Sequence, residues 1–143
     1  MTVLREANGA AMNVSSSPRQ VILCIDDDSE QLKLRTMILS SAGYTVLTAT
    51  NAAAGLHLFM HNRVDLVISD HVLPDAPGAD LLREMKRANP KLPVVLLSGF
   101  SETPAGIEPA DMFLTKGIAV PDFLAAIAKL LSRRAKSASS VNS

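Results

Sequence analysis

The sequence predicts an α/β domain in which five short parallel strands form a sheet covered by helices on both faces. Two observations carry this prediction. Short, nearly uninterrupted apolar runs alternate with longer stretches of helical periodicity, and strands buried on both faces read as continuous apolar runs. The residues with the most chemistry stand directly after those runs, most plainly in ILCIDDDSE at 22–30. In an open parallel sheet that edge is where ligands bind.

Each element follows from a local signal. VILCI (21–25) is the first strand. EQLKLRTMILSSAG (30–43) places Leu32, Leu34, Ile38 and Leu39 on one helical face and stops at Gly43. Asp28 is placed to cap this helix, with Gln31 reaching back in a loose capping box. TVLTA (45–49) is the second strand, NAAAGLHLFMHN (51–62) the second helix and VDLVIS (64–69) the third strand. GADLLREMKRAN (78–89) is a helix ended by Pro90, and PVVLLS (93–98) and MFLT (112–115) are the fourth and fifth strands. PDFLAAIAKLLSRRAK (121–136) is the last helix. Pro121 suits its first turn, and Arg133, Arg134 and Lys136 complement its C-terminal dipole. The folded domain is expected over 20–131, with a flexible tail at 1–19 and a polar tail at 132–143.

Composition narrows the function classes. The 143 residues suit one domain, and a chain of this size buries about 70% of its unfolded surface. Aromatics are 3% with no Trp, so the core must be aliphatic. The 14 basic and 14 acidic residues balance, so bulk attraction to nucleic acid or anionic lipid is not expected. Cys24 is the single cysteine and lies in an apolar run, which reads as a buried, inert thiol. The first 19 residues lack the apolar core of a secretory signal, and no apolar stretch approaches the roughly 20 residues of a membrane helix. A cytoplasmic location without membrane attachment is therefore expected.

The strand ends supply the function. Asp26, Asp27 and Asp28 follow the first strand, Asp70 the third, Ser98 ends the fourth and Lys116 follows the fifth. Carboxylates crowded together repel one another, unless a hard cation such as Mg²⁺ takes their oxygens as ligands. One carboxylate can then attack phosphorus. A metal and a lysine neutralise the phosphoryl oxygens, and a hydroxyl hydrogen-bonds them.

These residues, in this order, resemble the receiver domain of two-component response regulators. The signatures are ILCIDDDSE, DLVISDHVLPDAPG, VVLLSG and FLTK, with Pro74 four and Gly78 eight residues after Asp70. The resemblance covers about 20–131. It implies a flavodoxin-like doubly wound sheet of order 2-1-3-4-5 and a phosphoryl group accepted on Asp70. It implies Mg²⁺ held by Asp26, Asp27, Asp70 and the backbone carbonyl of Val72, with Asp27 the direct ligand of the acidic pair. Lys116 would pair with the phosphoryl group, Ser98 would be the switch hydroxyl and Phe113 the switch aromatic. The implied partners are a histidine kinase or histidine phosphotransfer protein, and an output protein reached by protein contact. The chain would be a signalling module rather than an enzyme, beyond self-phosphorylation and slow self-dephosphorylation. With no segment left for an output domain, a stand-alone receiver is expected.

The sequence also departs from that family. GFSETPAGIEPADMFLT (99–115) is about four residues short of the usual spacing and carries Pro104, Gly106 and Pro109, so the helix before the fifth strand is expected to be reduced or lost. Shortened versions of this loop resemble receivers that work with histidine kinases more than those that drive transcription. Gly117 follows Lys116 where the family often has Pro, which predicts a looser lysine loop. Val72 and Phe100 put apolar side chains two residues past Asp70 and Ser98, which predicts slow loss of the phosphoryl group. His71 is expected to face solvent beside the site. His57 and His61 have ligand spacing but no evident third ligand. Two rival readings stay open. One is a pseudo-receiver that binds partners without being phosphorylated. The other is a haloacid-dehalogenase-like phosphohydrolase, with Asp26 and Asp28 as its D-x-D pair; turnover of a phosphate ester would mark it.

Overall fold

The structure is a computed structural model that describes residues 19–99 and 110–141, with side chains described as far as residue 133. Its elements are β1 (Val21–Ile25), α1 (Ser29–Ser41), β2 (Thr45–Ala49), α2 (Ala52–His61), β3 (Leu66–Asp70), α3 (Gly78–Ala88), β4 (Val94–Ser98), β5 (Met112–Thr115) and α4 (Val120–Val141). The five strands are parallel in the order β2-β1-β3-β4-β5. This is the doubly wound, flavodoxin-like sheet that the sequence predicts.

Strand alternation builds two cores, one on each face. Leu23, Ile25, Val67, Val94 and Leu96 pack with Leu81, Leu82 and Met85 of α3 and Ala52 of α2. Ile22, Cys24, Leu66, Ile68, Val95 and Leu97 pack with Leu32 and Leu39 of α1 and Phe123, Ile127, Leu130 and Leu131 of α4. Every residue of β3 and β4 is buried, which is why those strands show no polar alternation.

The helix ends show how local chemistry sets the boundaries. Asp28 caps α1 by accepting from the N–H groups of Glu30 and Gln31. The expected capping box is not closed, because the Gln31 side chain turns to Arg35 Nη2 instead. At the other end Gly43, at φ 100°, lets its N–H reach the Ser40 carbonyl while the Tyr44 N–H reaches that of Leu39. That pair of bonds is a Schellman motif, which needs a residue tolerant of the left-handed region.

Three expectations shift. The buried face of α1 is Leu32, Arg35 and Leu39, whereas Leu34 is 53% exposed. The i, i+3, i+7 set points inward even though one member is charged, and Leu34 lies beside that face rather than on it. Helix α4 runs to Val141, beyond the expected end at 136, since RRAKSASS contains no Gly or Pro to stop it. Arg133, Arg134 and Lys136 therefore lie upstream of its last turn. The expected loss of a helix before β5 falls on 100–109, and the expected flexible N-terminal tail falls on 1–18; both lie outside the described residues.

Candidate metal and phosphoacceptor site

The order β2-β1-β3 places the topological switch between β1 and β3, and the carboxyl ends of these two strands carry Asp26 and Asp70. Asp70 is the last residue of β3, paired in register with Leu97 of β4. Asp26 follows β1, and its N–H donates to the Ala49 carbonyl of β2. Both are buried, while Asp27 is exposed. One carboxylate oxygen from each of Asp26, Asp27 and Asp70 can be chosen so that all lie within 4.8 Å of one another. Three carboxylate oxygens at that spacing, with one acid open to solvent, suit a hard divalent cation that keeps part of its water shell. Among the described residues no other group of three metal-capable side chains comes together. His57 and His61 lie with tilted rings, centroids 4.2 Å apart, and His61 Nδ1 is 2.8 Å from the His57 carbonyl oxygen.

Lys116 reaches the same point from the far side of β4. Its N–H donates to the Ser98 carbonyl at 2.7 Å. Its ammonium lies 3.0 Å from Asp26 Oδ2 and 3.3 Å from Asp70 Oδ2. The backbone of this loop is hydrogen-bonded in the structure. The Ile118 N–H closes a tight turn on the Thr115 carbonyl, and Gly117 does not use the left-handed region. Ser98 is buried at the end of β4, in register with Thr115. Phe113 is half-buried and packs against the α2–α3 side of the sheet.

The charges bias one another. Burial works against ionisation of Asp26, but the Asp28 N–H, Lys116 and Arg35 outweigh it and hold the carboxyl below the usual range. Asp70 is pushed up by burial and by the neighbouring Asp26 charge, with Lys116 and the Val72 N–H only partly compensating. Burial works against the charged form of Lys116, yet its two carboxylate neighbours raise its pKa. The Cys24 thiol is pushed up to about 12 by complete burial, as befits an inert core residue.

Further residues complete the setting. Val72 is 63% exposed and forms an isolated antiparallel bridge with Pro77. This closes the loop after Asp70 and lets the Gly78 N–H bond the His71 carbonyl. A Cβ at residue 78 would come within 2.0 Å of the Asp70 carbonyl oxygen, so the spacing from Asp70 to Gly78 has a steric cause. His71 is half-buried rather than solvent-facing, and its Nδ1 has no partner among the described residues. Asp28 spends its carboxylate on the α1 cap, leaving the D-x-D pattern without a second inward acid.

Two residues escaped the sequence reading. Arg35 is buried and places Nη2 3.3 Å from Asp26 Oδ2. Its signal was present, as an arginine between Leu32 and Leu39 on the apolar face of α1. Asp75 accepts from the N–H groups of Ala52 and Ala53 at 2.7 and 3.0 Å, tying the loop after Asp70 to the start of α2. Nothing local announces a contact 22 residues away.

Comparison with known proteins agrees with this geometry. Residues 22–128 match the family model of the response regulator receiver domain. The transcriptional regulatory protein GlrR of Escherichia coli is 35% identical over 109 residues, covering 73% of this chain and 24% of its own. The chain spans between a quarter and about half of the curated relatives it matches first. A CheY-like receiver domain protein from Methanospirillum hungatei superposes with a TM-score of 0.79 at 27% identity, covering 84% of this chain and 99% of its own. The response regulator TrrA of Thermotoga maritima, solved with Mg²⁺-BeF, gives 0.73 at 26% identity, covering 78% and 98%. The family match runs from β1 into the third turn of α4 and the fold superposes on that of solved receivers, and the chain belongs to the response regulator receiver domain family of two-component signalling.

Proposed function

We propose that this chain is a phospho-receiver that accepts a phosphoryl group on Asp70 from a histidine kinase or histidine phosphotransfer protein and signals by protein contact. The observation that carries this reading is the Lys116 ammonium set between Asp26 and Asp70, beside the three-carboxylate cluster. A carboxylate oxygen of Asp70 forms the new bond to phosphorus. The P–N bond of the donor phosphohistidine breaks, and its electron pair leaves with the imidazole, which takes a proton from solvent. Asp26, Asp27, Asp70 and the Val72 carbonyl are the residues that would hold Mg²⁺. The ion supplies positive charge against the phosphoryl oxygens. Lys116 leaves its carboxylate partners for a phosphoryl oxygen, and Ser98 donates its hydroxyl to another. Phe113 repacks with that change, which shifts a two-state population.

The exposed, apolar Val72, two residues past Asp70, slows hydrolysis of the acyl phosphate. The balanced charge of the chain favours protein partners over nucleic acid for this domain. Among the described residues no helix is long and apolar enough to cross a membrane, and we place the protein in the cytoplasm. We assign the receiver domain to about residues 20–131.

The test is intact mass after incubation with acetyl phosphate and Mg²⁺. Wild type is expected to gain one phosphoryl group, Asp70→Asn none. Absence of an adduct on wild type, with no response to fluoroberyllate, would leave an unphosphorylated binding module instead. Turnover of a phosphate ester would make the chain a hydrolase.

A further inference from the structure

Arg35 is unusual on three counts. It sits at an inward position of α1 between Leu32 and Leu39. Its side chain is 8% exposed and makes its charge pair with Asp26, whose side chain is 0% exposed. Its Nη1 has no hydrogen-bond partner among the described residues, while Nη2 is shared by Asp26 Oδ2 and, at 3.5 Å, Gln31 Oε1. An arginine stays charged wherever it is buried, so this position is tolerated because a carboxylate of the acid cluster answers it.

The consequence falls on Asp26. Its Oδ1 accepts from the Asp28 N–H at 2.9 Å, and its Oδ2 accepts from both Arg35 and Lys116. A carboxylate has about four acceptor sites, so most of those on Asp26 are in use. Three acids and two fixed cations leave the cluster with one net negative charge rather than two. A cation that binds there meets the field of a buried guanidinium that keeps its proton.

We propose that Arg35 is a positioning residue that pins the Asp26 carboxylate and sets a low affinity of the acid cluster for divalent cations. It also remains as the counter-charge of Asp26 when Lys116 turns toward a phosphoryl group. This rests on Asp26, Asp27 and Asp70 forming the metal site.

The experiment is calorimetric titration of Mg²⁺ into the full chain at one fixed ionic strength, since screening changes the effect. Arg35→Met removes the charge and keeps a long apolar side chain for the core. Arg35→Gln is the second neutral variant should the first not fold, and Arg35→Lys retains the charge. Each neutral variant is expected to bind Mg²⁺ on the order of tenfold more tightly, with Arg35→Lys within about threefold of wild type. Unchanged or weaker Mg²⁺ binding in the folded neutral variants overturns the proposal. So does equal tightening in Arg35→Lys, because the charge would then not be the cause. Asp27→Asn serves as the control for the site. Wild type that fails to bind Mg²⁺, or binds it equally well as Asp27→Asn, overturns the metal site itself and this inference with it.

Discussion

Asp70 is held in a strained electrostatic balance. Burial and the Asp26 charge raise its pKa against the help of Lys116. For an acid whose folded pKa is raised, the fold is penalised as pH rises through that value, and both states are protonated below the unfolded value near 3.9. Asp70→Asn is therefore expected to raise the Tm of metal-free protein at pH 7 and to leave it unchanged at pH 3, read by calorimetry at both pH values. A lower Tm at pH 7 would mean that the Lys116 pair outweighs the like charge. The positions of the acidic pair, Asp70, Ser98 and Lys116 along one sheet edge were legible because each stands at a strand end. The contact of Arg35 with Asp26 was not, because it depends on what α1 packs against.

Among the elements, α2 shows how a helix start is decided from elsewhere. Asn51 caps it locally by accepting from the Ala54 N–H, and the first two N–H groups go to Asp75 in the loop after β3. Those two bonds hold the Asp75 carboxyl below its usual range. Its folded pKa is depressed, so the stabilisation is present above the unfolded value and is lost as pH falls through the folded one. Asp75→Asn is expected to lower the Tm at pH 7, with the difference from wild type shrinking as pH falls below about 4. A difference independent of pH would show that the carboxylate charge is not what caps α2. The Gly43 stop of α1 and the Asp28 cap were readable because both are contacts within five residues. The continuation of α4 to Val141 was misjudged because polar Ala- and Ser-containing sequence is compatible with either helix or tail.

At the scale of the whole fold, the sheet divides the core into two faces that, among the described residues, share no side chains. Leu82 lies in the α2–α3 face and Ile127 in the α1–α4 face, both fully buried. Leu82→Ala is expected to cost about 2–5 kcal/mol and Ile127→Val about 0.5–1.5 kcal/mol. With the sheet between them, the double variant should show the sum within about 0.5 kcal/mol. Urea denaturation of the three proteins checks this, and a larger departure would show that the faces are coupled through the strands.

By itself the sequence determined the element order, the parallel sheet and the edge at which the acid cluster forms. Those depend on period, on continuous apolar runs and on the rule that ligands gather at carboxyl ends of strands. Only the tertiary structure decided which charges touch. Lys116 bridging Asp26 and Asp70, Arg35 buried against Asp26, and Asp75 tying its loop to α2 are contacts between residues distant in the chain or on different elements. Distances of that kind follow from packing, which brings side chains together in three dimensions and leaves no trace in local periodicity.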